Sequence, residues 1–278
     1  LNLKDVSRYV EQNIGTFHEN LLQKLKELKL AEVLTRKNPY LFKAKNILTA
    51  HDFVKTLLDA YLSAQEEGIF GVFLEGLAVF ICGKVYHGRK TKTIGVDLEF
   101  QKEDVYYVVS IKSGPNWGNS DQINRMKQNF ANATSAIQSE HPEYEVVCVN
   151  GCCYGRDNKP QKTGYMKLCG QRFWEFISGQ SDLYTDIIEP LGHKAKEKNE
   201  AFVKAYAQAL NIFTLKFAQE YCINGAIDWN KIVSLNSGIR SRTFAAGMVT
   251  TARSTGPGIS ITDLKTGRPA ISPPLGLT

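Results

Sequence analysis

Thr93-Ile-Gly-Val-Asp97-Leu-Glu99-Phe, a short acidic turn, and then Tyr106-Tyr-Val-Val-Ser110-Ile-Lys112-Ser read as two β-strands joined in a hairpin. Side chains alternate across a strand, so Asp97 shares a face with Glu99, and Ser110 shares one with Lys112. The spacing predicts a turn at Gln101-Lys-Glu-Asp104, which sets Asp97 opposite Val108 and turns all four polar groups to one side of the sheet. Carboxylates and an amine converging on one face can hold a divalent metal and a water beside a phosphodiester. An isolated Asp/Lys pair across a hairpin fits a weak surface salt bridge just as well. Two features favour chemistry. Lys112 ends a strongly apolar run, where a solvent-facing lysine is less expected. The chain then enters Ser113-Gly-Pro-Asn116-Trp117-Gly-Asn119-Ser-Asp-Gln122-Ile-Asn, an amide-rich loop of the kind that carries substrate contacts.

Upstream of the hairpin, Lys84, Arg89, Lys90 and Lys92 surround His87. They form either a phosphate-facing rim or a solvated loop. A helix over about 69–83 carries Glu75 in apolar company, which is costly to bury unless paired or metal-bound; an edge position would remove that cost. Val6, Val10, Ile14, Phe17, Leu21, Leu25, Leu28 and Val33 predict a helix over residues 3–34, and Thr49 can cap another running through Leu62. Downstream, Ile123, Met126, Phe130, Ala133 and Ile137 predict a helix from Ser120 to about Gln138, capped by Ser120 or Asn119, with Gln122, Arg125 and Lys127 in its first turns. Strands follow near 144–149 and 165–168, then a helix from Gln171 with a core-facing aromatic stripe. Residues 182–217 read as helical. Their stripe of Phe202, Tyr206, Leu210, Phe213 and Phe217 suits either the core or a subunit interface. The division expected is a helical segment over 1–68, a core over 69–180, a helical segment over 181–237 that could serve dimerisation, and a disordered tail over 238–278.

The 278 residues are 43% hydrophobic and 22% charged, an ordinary globular balance. No apolar run approaches the roughly 20 residues needed to span a bilayer, and Leu1-Asn-Leu-Lys-Asp does not read as a signal peptide, so a cytoplasmic location is expected. The net charge of +6 is weak evidence for nucleic acid. Arg240, Arg242, Arg253, Lys265 and Arg268 against Asp263 supply +4 of it, leaving the body at +2. Cys148, Cys152, Cys153 and Cys169 lack the paired spacing of structural zinc sites and read as core and loop cysteines.

Asp97…Ser110-Ile-Lys112 resembles the signature of PD-(D/E)XK nucleases, with serine at the second acidic position. Lys37-Asn-Pro-Tyr40, Phe70-Gly-Val-Phe-Leu-Glu75, the Lys112–Trp117 loop and Arg172-Phe-Trp-Glu-Phe176 recur in the same order. Together, over about residues 1–236, they are similar to a branch of type II restriction endonucleases that cut interrupted GG-N-CC sites. The resemblance implies an α/β fold, a central mixed sheet flanked by helices, and Mg²⁺-dependent hydrolysis of double-stranded DNA. Asp97 and Glu75 would then ligate the metal, with the Ile111 carbonyl completing the shell, and Lys112 would orient the attacking water. A hydroxyl at Ser110 is a poor substitute for a carboxylate ligand. Glu99, or else Asp121, would compensate, and Glu99 is preferred for sharing the Asp97 face. Asn116, Asn119, Gln122 and Arg125 would read bases, with Trp117 either contacting DNA or pinning the loop, and Arg89, Lys90 and Lys92 would face phosphates. A homodimer matching a palindromic site and a cognate DNA methyltransferase would be its partners. A repair or junction nuclease and a catalytically silent DNA-binding relative remain alternatives.

Overall fold

In the computed structural model, which describes residues 1–91, 93–193 and 195–239, the hairpin forms as β1 (Leu98–Lys102) and β2 (Val105–Lys112). Its turn is tighter than expected. Lys102 pairs with Val105, so Glu103 and Asp104 alone make the loop, with Glu103 left-handed at φ 56°. Tight two-residue loops match the twist of paired strands and keep the ladder hydrogen-bonded to its end. The register therefore shifts from the one expected. Glu99, not Asp97, faces Val108.

Three further strands, β3 (Glu145–Cys152), β4 (Gln161–Lys162) and β5 (Tyr165–Cys169), complete a mixed sheet of order β1-β2-β3-β5-β4. β2, β3 and β5 run parallel at its centre, and β1 and β4 are antiparallel edges. The crossover from β2 to β3 is α5 (Ser120–Glu140). It buries Met126, Phe130 and Ala133 against Val96 and Val108 on one face of the sheet. On the other face, Leu98, Phe100, Val109, Ile111, Val149 and Leu168 meet α1 (Leu3–Glu27), α4 (Ala50–Tyr86) and α6 (Gln171–Ser178). Helices on both faces satisfy a sheet whose central strands are largely apolar. The α/β reading of the sequence is borne out.

A second apolar cluster joins the end of α1 to α2 (Leu30–Arg36), α3 (Pro39–Ala44), the start of α4, α9 (Ala195–Tyr221) and α10 (Trp229–Ser237). Short helices α7 (Leu183–Asp186) and α8 (Ile188–Leu191) lead into α9, and β6 (Cys222–Ile223) with β7 (Ala226–Ile227) leads out of it. In the α9 stripe, Leu210 and Phe217 are buried in this cluster and Phe202, Tyr206 and Phe213 pack against it, so the stripe is core.

The helices differ from the expected ones in two ways. The first breaks at Leu28, whose backbone is extended, letting both Leu28 and Leu30 turn inward. The helices expected from Thr49 and over 69–83 are one helix of 37 residues. Thr49 accepts from the Asp52 amide at 3.1 Å as its cap, and Gly68 and Gly71 are tolerated because packing on both clusters outweighs their low propensity. By length and composition this helix is also apolar enough to cross a membrane, which corrects the reading that no run approaches that length. A core helix passes the same test, and Leu77, Ala78, Ile81 and Cys82 are fully buried. The expected tail over 238–278 lies, beyond Ile239, outside the described residues.

Candidate active site

Asp97 sits where the chain enters β1. Its amide donates to the Val109 carbonyl at 2.9 Å although Leu98 is the cross-strand partner of Val109, a bulge that re-aims the Asp97 side chain. The Oδ2 atom then accepts from the Ile111 amide at 2.7 Å and from the Ser110 hydroxyl at 3.4 Å. The carboxylate thus finishes a ladder that β1 leaves incomplete, which locks its position. Lys112 Nζ stands 3.7 Å from the same oxygen and donates to the Ile111 carbonyl at 2.9 Å. Both side chains are only partly exposed, 31% for Lys112 and 20% for Asp97, so their attraction is screened less than at an open surface.

The loop after Lys112 is stitched down rather than free. The Cys153 and Tyr154 amides donate to the Lys112 and Ser113 carbonyls at 2.9 and 3.0 Å, and Lys167 Nζ donates to the Pro115 carbonyl at 2.8 Å. Trp117 donates through Nε1 to Asn150 Oδ1 at 3.0 Å, and the Lys112 ammonium lies 5.4 Å from its ring centroid. Asn119 caps α5 in a reciprocal box: its Oδ1 accepts from the Gln122 amide and Gln122 Oε1 accepts from the Asn119 amide, both at 3.0 Å. Those oxygens hold the loop, and Asn116, Asn119, Gln122 and Arg125 are all exposed.

Two predicted residues are engaged elsewhere. Glu99 forms an ion pair with Arg89 at 2.7 Å, and the two residues also exchange backbone hydrogen bonds at 2.9 Å that strap residues 88–90 to the edge of β1. The register shift takes Glu99 along the strand, away from the Asp97 cluster. Glu75 reaches from α4 to Lys90 Nζ at 2.7 Å. The Lys90 pKa is raised by that hydrogen bond and by the Glu75 charge, with Asp97 adding to the effect over weak opposing desolvation. Lys92 lies outside the described residues, and Asp121 is exposed in the first turn of α5.

Among the described residues, no group of three His, Cys, Asp or Glu side chains converges to hold a metal. The donors beside Lys112 Nζ are oxygens, the Asp97 carboxylate at 3.7 Å and the Ile111 carbonyl at 2.9 Å, while Glu75 is paired with Lys90. That set fits Mg²⁺, which uses one or two carboxylates and keeps several waters. The cysteines divide between faces. Cys152 pairs in register with Cys169, Cys153 enters the main core and Cys148 meets Thr134 across 3.5 Å.

Asn150 was not singled out by sequence reasoning. It is 1% exposed and directly opposite Ser110 on the neighbouring strand. Its one signal is an amide closing the apolar run Val146-Val-Cys-Val149.

A search of curated proteins finds no match. A family model described as Type II restriction endonuclease EcoO109I matches residues 4–199, which include α1, α4, the whole five-stranded sheet and the Asp97–Lys112 cluster. With that match spanning well over half of the chain, the protein belongs to the type II restriction endonuclease family of EcoO109I.

Proposed function

We propose that the Asp97–Ser110–Ile111–Lys112 cluster is a PD-(D/E)XK centre making Mg²⁺-dependent, sequence-specific double-strand cuts in DNA. The observation that carries this reading is the Lys112 ammonium 3.7 Å from an Asp97 carboxylate that is itself fixed by the Ile111 amide at 2.7 Å. A restriction endonuclease needs a carboxylate and an ammonium held beside one phosphate, and strand ends on a rigid sheet supply both.

Asp97, the Ile111 carbonyl and Glu75 would hold the metal, Glu75 after release from Lys90. When bound, Mg²⁺ lowers the pKa of its water and offsets charge gathering on the phosphate. Lys112 orients the attacking water and stabilises the charge that develops. The Ser110 hydroxyl, 3.4 Å from Asp97, orients that carboxylate rather than replacing a ligand. Asn116, Asn119, Gln122 and Arg125 present amides and a guanidinium to base edges in the major groove. Arg89 and Lys90, with Lys92, supply positive charge toward phosphates, and Trp117 pins the loop. We assign residues 69–180 to the catalytic core, flanked by helical segments over 1–68 and 181–237. The enzyme would act in the cytoplasm as a homodimer on an interrupted GG-N-CC-type palindrome, protected in its host by a cognate methyltransferase.

Purified protein incubated with unmethylated phage DNA and Mg²⁺ should give discrete bands, absent with EDTA and reduced at least about a hundredfold in Lys112→Ala. Serine in place of the second acid supports a second reading, a DNA-binding relative without catalysis. Uncut DNA, shifted equally on a gel by wild type and Lys112→Ala, would establish that reading instead.

A further inference from the structure

Asn150 is a buried polar group beside the cluster that the proposed chemistry does not use directly. At 1% exposure its amide is costly to keep in an apolar sheet, where its neighbour Val149 shows what the core would otherwise accept. Both ends are satisfied, and neither serves the helices packed around it. Nδ2 donates at 3.2 Å to the Ser110 carbonyl, the other end of the peptide group whose Ile111 amide holds Asp97 and one residue before the Ile111 carbonyl that receives Lys112. Oδ1 accepts from Trp117 Nε1 at 3.0 Å and, more weakly, from the Cys152 thiol at 3.9 Å. One side chain therefore spans the reactive strand and the loop that follows it.

We infer that Asn150 is a positioning residue for Lys112, acting through Trp117. A lysine stem has four rotatable bonds, and an ammonium left free would sample many positions. Here the indole face lies 5.4 Å from Nζ, a cation–π distance, and the indole is immobilised by the hydrogen bond from its own nitrogen to Asn150. Fixing the ring limits the ammonium to the side of Asp97, and the second arm of Asn150 fixes the backbone from which Lys112 leaves. The inference rests on the nuclease reading, in which Lys112 acts in the cut.

The test compares wild type, Asn150→Leu, Trp117→Phe, the double variant and Lys112→Ala in steady-state cleavage, with melting temperatures measured alongside. Leucine matches asparagine in shape and keeps the core filled. Trp117→Phe removes the five-membered ring with its N–H from a loop side chain, keeps an aromatic face and leaves the sheet intact. Expected is a fall in kcat of about ten- to a hundredfold in each single variant with KM for DNA unchanged. The double variant should be no worse than the poorer single one, because the two side chains act as a unit. Wild-type kcat in both single variants, with Lys112→Ala inactive, overturns the positioning role alone. So does a kcat loss that tracks the melting temperature and is additive in the double variant. Cleavage unaltered in Lys112→Ala overturns the nuclease assignment of the cluster, and the positioning role with it.

Discussion

Gly151, next to Asn150 on β3, is fitted as tightly as any residue in the sheet. A Cβ built there would enter the ring of Phe173, which is fully buried beneath it on α6. The close approach of strand backbone to an aromatic ring is what lets α6 seat on the sheet, and only glycine leaves that space. Gly151→Ala should therefore destabilise the protein by about 1–3 kcal/mol through overpacking, read as a lowered melting temperature. At the same scale the site shows why neighbouring carboxylates need not share a task. Asp97 is turned onto the Ile111 amide by the bulge, whereas Glu99, two residues on, is drawn to Arg89 at 2.7 Å.

At the scale of elements, α4 is the piece on which the rest depends. Its first half lies in the helical cluster and its second half under the sheet, and it carries Glu75 to Lys90. Part of its hold on α9 is a hydrogen bond from the Tyr206 hydroxyl to Asp59 Oδ1 at 2.6 Å, with Lys55 at 2.6 Å from the other oxygen. Burial pushes the Asp59 carboxyl up, but hydrogen bonds from Lys55 and Tyr206 outweigh it and hold the pKa below its usual value. A carboxyl whose pKa is depressed on folding stabilises above its unfolded value, about 3.9, and loses that contribution as pH falls through the lower folded value. Tyr206→Phe should accordingly cost about 1 kcal/mol at neutral pH. The difference from wild type should shrink as pH drops below about 4, which melting curves across that range would reveal.

For the molecule as a whole, charge is a poor guide to function. Most of the +6 belongs to residues 239–278, and the remainder of the chain carries only +2. On the proposed reading, affinity for DNA would come from local groups such as Arg125, exposed on the first turns of α5. One chain offers one Asp97–Lys112 cluster, while a palindromic duplex presents two equivalent phosphates related by a two-fold axis. Sedimentation equilibrium should therefore return twice the mass of one chain, and a monomer cutting both strands in one encounter would contradict the dimeric assignment.

That Asp97 and Lys112 meet was legible in the sequence because their strands adjoin in the chain, whereas the aim of the Asp97 carboxylate comes from the bulge at the start of β1. The central mixed sheet was legible for a similar reason, since apolar runs and an intervening amphipathic helix imply parallel strands with a crossover. So was the start of α5, where Asn119 and Gln122 have the spacing of a capping box. Register was not legible. Whether four residues turn or two depends on a left-handed Glu103, and the shift of two moved Glu99 out of the cluster. Nor was the continuity of α4, because the stretch through Leu62 and the one over 69–83 read as separate helices until packing on both clusters joins them. The pairing of Glu75 with Lys90 spans 15 positions and the Trp117–Asn150 bond spans 33. Contacts of that range follow no local period, so the residues that brace the reactive pair are decided only when helix, loop and strand are packed together.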